Sequence, residues 1–202
     1  MTDTNAETGT RAGERPDVVA RVAVRARADR GDALRAPVSA RELAAVEAEL
    51  GLALPPLLAR LYREVGNGGY GPGYQLLPLT GDGRTLVSAY RDELSDAACT
   101  DDPHWPAGVL PLLDWGCGMY AAVDCHSATG TVLLYEPNDA HDDWADAWYV
   151  DAGSLEEWLE TWLAGKGWYE EDAYEAPGEE GPQEPCPWTE AKARLAGAEP
   201  GR

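Results

Sequence analysis

The chain has 202 residues, with 36 Asp plus Glu against 16 Lys plus Arg, a formal charge of −20 and a pI near 4.3. With 44% apolar residues, eight Trp and nine Tyr, it is not an acidic disordered tail, a class poor in aromatic and apolar side chains. The length fits one domain of about 100–150 residues with extensions, and a chain this acidic is repelled by nucleic-acid phosphates and anionic membranes.

Residues 1–16 are polar and read as a loose terminus. They have neither the basic nor the apolar stretch of a secretory signal, and no apolar run approaches the ~18–20 residues of a membrane span, so a cytoplasmic location is expected. Asp17–Arg30 is rich in Val, Ala and Arg and partly alternates through Val22-Ala-Val24-Arg25-Ala-Arg27. Helix and strand both fit there, with helix preferred. Ser39-Ala-Arg-Glu42 is a capping box, in which the hydroxyl serves an orphan N–H and the carboxylate reaches back to the cap. Leu43, Val46 and Leu50 follow at helical spacing, and Gly51 supplies the stop. Pro55-Pro56 opens a second helix with an apolar stripe of Leu57, Leu58, Leu61, Tyr62 and Val65. Gly66-Asn67-Gly68-Gly69 ends it with residues that tolerate positive φ.

Tyr74–Leu79 reads as a short strand between glycine-rich segments, and Arg84–Leu94 is consistent with a further helix. Val109–Asp114, Met119–Asp124, Thr131–Tyr135 and Ala147–Val150 read as strands separated by turn residues. Their connections are too short for parallel crossovers, which predicts a mainly antiparallel sheet. Ser154-Leu-Glu-Glu157 is a second capping box, ahead of Leu155, Trp158, Leu159, Trp162 and Leu163 on one helix face that ends near Gly165. The order predicts an α+β fold: an N-terminal helix pair, a central sheet of about five strands and a closing C-terminal helix. The domain is placed at residues 38–166, between an extension at 1–37 and an acidic, Pro/Gly-rich tail at 167–202. A short helix near 188–196, carrying Trp188 and Leu195, would dock on the domain or contact a partner, with docking preferred.

The charge is unevenly distributed. Residues 1–91 carry 12 basic and 11 acidic side chains, residues 92–184 carry one basic and 23 acidic, and residues 185–202 carry three basic and two acidic. An acidic surface keeps a protein dispersed, and it also matches a basic protein partner.

Residue patterns that carry chemistry are sparse. Cys99, Cys117, Cys125 and Cys186 contain no C-x-x-C pair and are expected as reduced thiols. His104, His126 and His141 are the only histidines, and no Gly-x-Ser-x-Gly elbow is present. Cys125 and His126 are adjacent, whereas a catalytic Cys–His pair is formed in space. Cys117, Cys125, His126 and His141 match no familiar zinc spacing, and Asp139, Asp142, Asp143 and Asp146 lack the glycine and terminal glutamate of a calcium-binding loop. The glycine turns at 66–69 and 116–118 have no strand-to-helix setting for a phosphate. Asp114 and Asp124 flank a strand, where carboxylates commonly serve turn N–H groups. Neither a catalytic residue nor a metal or cofactor site is assigned.

Three segments, in order, resemble the Smi/Knr-type domain of the SUKH superfamily. The first is residues 38–69, with the helix, the Leu-Pro-Pro link, the second helix and the Asn-Gly-Gly stop. The second is residues 109–137, with Asp114-Trp-Gly-Cys-Gly-Met119 and the following Asp124. The third is Ser154-Leu-Glu-Glu-Trp-Leu-Glu160. The resemblance covers about 130 residues and leaves out 1–37, 139–151 and 167–202. It implies a protein-binding domain without catalytic residues. Bacterial members of the superfamily are largely immunity proteins that neutralise toxins, often nucleases; fungal members are regulatory scaffolds in cell-wall signalling. By the same resemblance Asn67, Gly68, Gly69, Trp115, Gly116, Gly118 and Asp124 take structural positions, and no partner-binding residue carries over.

Charge and resemblance together lead to an expected function. This is an immunity protein, a monomer or weak dimer, that meets a basic toxin domain through Asp139, Asp142, Asp143 and Asp146, with Trp144 as anchor. Trp148 is a further candidate for which core packing is preferred. The competing reading is a regulator or scaffold with no toxin partner.

Overall fold

The computed structural model describes residues 16–99, 102–165 and 186–197; the loose start and most of the acidic tail expected from the sequence lie outside these. The ambiguous Val/Ala/Arg segment is helix α1 (Val18–Arg30). In a strand Val22 and Val24 would share a face, yet Val22 is fully buried and Val24 is 68% exposed. Val18, Val19, Val22, Ala23 and Ala26 form its inward stripe, and α1 enters the common core rather than standing apart.

Ser39 caps α2 (Ala40–Leu50): Glu42 N donates to the Ser39 hydroxyl at 3.2 Å, and Ser39 N donates to the Glu42 carboxylate at 2.7 Å. Gly51 closes α2 in the left-handed conformation. Pro55 and Pro56 start α3 (Pro56–Arg60), which runs on as a wider π-type turn over Leu61–Val65 and buries Leu58, Leu61, Tyr62 and Val65. The predicted strand at Tyr74–Leu79 is not formed. Pro78 has no N–H to donate to a ladder, and Gln75 sits at φ +68. The segment instead lies on β1 (Val109–Gly116) through a single bond, Leu77 N to Leu112 O at 2.8 Å. Thr85 then caps α4 (Leu86–Ala98) in a box with Ser88.

The remaining strands are β2 (Met119–Asp124), β3 (Val132–Tyr135), β4 (Trp148–Ala152) and β5 (Cys186–Pro187). They run in the order β1-β2-β3-β4-β5, each antiparallel to its neighbour. The architecture is thus α+β with five strands, and the fifth strand is the two-residue β5 rather than Tyr74–Leu79. Nearly every residue of β2 and β3 is buried, so the central strands have helices or loops on both faces. On one face Tyr120, Tyr135 and Trp148 are direct cross-strand neighbours. Trp105 packs edge-on against all three rings, with centroids at 5.4, 5.2 and 4.9 Å. α5 (Leu155–Leu163) packs against β4, α1 and α3 and buries Leu155, Trp158, Leu159 and Trp162. Ser154 caps it by accepting from Glu157 N at 3.1 Å, but the Glu157 carboxylate takes Gly153 N, so the expected box is shifted by one residue. The short helix α6 (Ala191–Leu195) follows β5 and lies against the β3–β4 loop.

Candidate functional site

All five residues proposed from the sequence for partner contact lie in the loop between β3 and β4, whose neck is closed by Glu136 N donating to Ala147 O at 2.8 Å. Two short 3₁₀ turns, Pro137–Asp139 and Trp144–Ala147, shape the loop. Asp139 accepts a 2.7 Å bond from the Tyr149 hydroxyl, whose pKa is pushed up to about 12 by burial and by this carboxylate. Asp143 caps the second turn by accepting from Ala145 N at 3.0 Å and takes Lys192 Nζ at 2.7 Å. The Lys192 bond, helped by the Ala145 N–H, holds its carboxyl below the usual carboxylate range. Asp142 and Asp146 are exposed. Trp144 is half-buried, its ring 5.4 Å from that of His104, so one face is committed to the domain. Trp148 is fully buried, with its indole N–H donating to the His104 carbonyl at 3.1 Å, as the preference for core packing expected.

Beside this loop runs an open groove of about 340 Å³, lined by Asp102, Pro103, Asp142, Asp143, Lys192, Leu195 and Ala196. It joins the acidic loop to α6 and to the α4–β1 connection. Asp102 and Lys192 carried no motif in the sequence; only the preference for a docked helix near 188–196 pointed to this neighbourhood.

The residues matched through the resemblance sit elsewhere and serve the backbone. Asn67 staples the chain that follows α3: its carbonyl accepts from Leu79 N at 2.7 Å and Thr80 N at 3.3 Å, and its amide donates to Thr80 O at 2.7 Å. Gly68, at φ +66, leaves no room for a side chain, since a Cβ would stand 2.6 Å from Leu77 O. Gly69 N donates to Leu76 O at 2.8 Å. Gly116, Cys117 and Gly118 all have positive φ in the β1–β2 turn, with Gly116 N held by Asp114 Oδ1 at 2.8 Å. Trp115 is half-buried and meets Tyr74 edge-on at 5.9 Å.

Asp124 is placed differently. It is buried and grips the Arg194 guanidinium through both oxygens, at 2.9 and 3.0 Å, with side-chain exposures of 7% and 3%. Asp124 Oδ1 also accepts from His126 N at 3.0 Å, and Arg194 Nη2 donates to the Ala107 carbonyl at 3.2 Å and faces His126 Nδ1 at 3.2 Å. The partners are separated by 70 residues, so no local pattern could have shown the pair.

The geometry speaks against nucleophilic chemistry at Cys125-His126. Burial, reinforced by Asp124, pushes the Cys125 thiol up to about 12, and the thiolate is the nucleophilic form. The His126 ring is engaged by Arg194. Among the described residues no group of three or more His, Cys, Asp or Glu side chains could hold a metal ion, and no helix is long and apolar enough to cross a membrane.

No curated protein matches the chain. The SMI1 / KNR4 family (SUKH-1) matches residues 37–161, a span that runs from two residues before the Ser39 cap of α2 through most of α5. With α2 to α4, the antiparallel strands β1 to β4 and the Asn-Gly-Gly staple inside that span, this chain belongs to the SMI1 / KNR4 family of SUKH domains.

Proposed function

We propose that this chain is a non-enzymatic binding protein, an immunity protein that occupies and neutralises a cognate toxin, and that a basic nuclease domain is the partner its surface fits. It works in the cytoplasm as a monomer or weak dimer, without metal or cofactor, and binds neither nucleic acid nor membrane. Membership of the SUKH family supports protein binding as the activity.

The observation that carries the acidic-surface reading is the juxtaposition of Asp102, Asp142 and Asp143 along one open groove, with Asp146 exposed on the same loop. Lys192, bonded to Asp143, is the one Lys or Arg in the groove lining against three aspartates. A nuclease presents a cationic groove built for phosphates, and a surface of carboxylates fits that groove while competing with its substrate. Complementary fields raise association toward about 10⁸–10⁹ M⁻¹s⁻¹ at low salt, which suits a protein that must intercept a toxin before it acts. Trp144 supplies an aromatic anchor through its remaining open face.

The test is co-expression with a nuclease toxin domain drawn from the genes that neighbour this one. The chain is expected to restore growth and to co-purify with that domain in equal amounts. A chain that co-purifies instead with an endogenous regulatory enzyme, and gives no protection, identifies the scaffold role found among fungal members and overturns the immunity reading.

A further inference from the structure

Between residues 92 and 197 the described chain carries two Lys or Arg side chains, Lys192 and Arg194, and both pair with carboxylates of the acidic half. Both belong to the segment 186–197, which lies outside the family match, whereas their partners Asp143 and Asp124 lie inside it. The segment is joined to the domain through residues 166–185, a stretch with seven acidic residues and one basic.

Its mode of attachment is that of a bound peptide. Two residues extend the sheet, with Pro187 opposite Tyr149 and Cys186 opposite Val150. Trp188 N donates to Trp148 O at 2.8 Å, and the Trp188 ring packs edge-on against Trp148 at 6.0 Å. Six residues later Arg194 stacks over Trp188 at 5.3 Å and drives its guanidinium onto the buried Asp124. Backbone pairing at a sheet edge with pockets for chosen side chains is the general form of peptide capture by strand addition.

We propose that residues 186–197 are a tethered ligand of the β4 edge. In the free chain they fill a site, formed by β4, the Trp148 ring and the Asp124 carboxylate, that takes a basic segment of the protein partner bearing an aromatic side chain and an arginine six residues apart. Strap and partner compete for this site, and removal of the strap returns Asp143 and Asp124 to the acidic surface. The inference rests on the protein-binding reading above and specifies which chemistry the surface selects. The covalent link makes docking of the strap an intramolecular event, so a segment with modest affinity of its own stays docked until a better competitor arrives.

The experiment needs no toxin. A specific protease site is placed within residues 166–185 of the full chain, the chain is cut, and a fluorescent synthetic peptide of residues 186–197 is added. The labelled peptide is expected to exchange with the cut strap and to bind the uncut chain at least tenfold more weakly. Arg194→Gln in the peptide, or scrambling its sequence at constant charge, is expected to weaken binding at least tenfold. Failure to exchange, loss of the fold on cutting (read by circular dichroism), or equal binding of the scrambled or Arg194→Gln peptide overturns the proposal. Those outcomes leave the toxin experiment untouched, so the two ideas fail separately.

Discussion

Replacing Asn67 by alanine tests whether the Asn-Gly-Gly turn is a structural staple. The Asn67 carbonyl is the acceptor for Leu79 N at 2.7 Å, and Leu79 is buried, so the truncation leaves a backbone donor out of reach of water. An orphaned buried group costs about 1–3 kcal/mol. Thr80 is only half-buried, and its N–H and carbonyl recover part of their loss from solvent, so they add at most about 1 kcal/mol. The expected loss is therefore about 1–4 kcal/mol, a large share of the ~5–15 kcal/mol that stabilises a domain. Asn67→Asp keeps the acceptor for Leu79 N but turns the donor into an oxygen facing the Thr80 carbonyl, and is expected to cost at least about 2 kcal/mol. Equilibrium urea unfolding followed by tryptophan fluorescence reads both, and at a slope of about 2 kcal/mol/M the alanine midpoint falls by about 0.5–2 M. A loss below about 0.5 kcal/mol for Asn67→Ala refutes the reasoning, because it would mean that Leu79 N finds another partner at no cost.

At pH 8 the exposed Cys99, Cys117 and Cys186 are expected to react with a disulfide reagent far faster than Cys125, by roughly a hundredfold or more, because the Cys125 thiol is held up at about 12. The folded state favours the neutral thiol, so this contribution to stability is complete below the ordinary thiol range and is lost as pH rises through about 12; four equal rates would contradict it. Asp124→Asn and Arg194→Gln are each expected to destabilise by about 3 kcal/mol, and the double variant by at least 1 kcal/mol less than the sum, read in a denaturation cycle. Strict additivity would show that the buried pair is not coupled. Ser39→Ala is expected to cost about 1 kcal/mol through the lost cap on α2, and an unchanged melting temperature would remove that cap from the account.

The helices were legible where the chemistry of their ends is local. Ser39 with Glu42, Gly51 and Pro55-Pro56 each act within a few residues, and α2 and α3 begin and end where these signals stand. α1 was ambiguous because its Val and Ala positions satisfy both periods, and only the burial of Val22 against the exposure of Val24 separates them. Tyr74–Leu79 had the composition of a strand, but Pro78 and a positive φ at Gln75 deprive it of a ladder, and Asn67 ties its end instead. β5 could not be read, since two residues carry no period at all. The acidic loop was visible as composition. Its neighbours Asp102 and Lys192, and the grip of Asp124 on Arg194, depend on contacts between distant segments that no local spacing encodes.

The central claim is that a protein partner is bound through the carboxylates of the β3–β4 loop. It is tested most directly by titrating the toxin domain against the full chain and against the variant with Asp139, Asp142, Asp143 and Asp146 all changed to Asn, at low and at high salt. Affinity for the unaltered chain is expected to fall as salt rises. The fourfold variant is expected to bind at least tenfold more weakly and with a flatter dependence on salt. Equal affinities with equal salt dependence would contradict it.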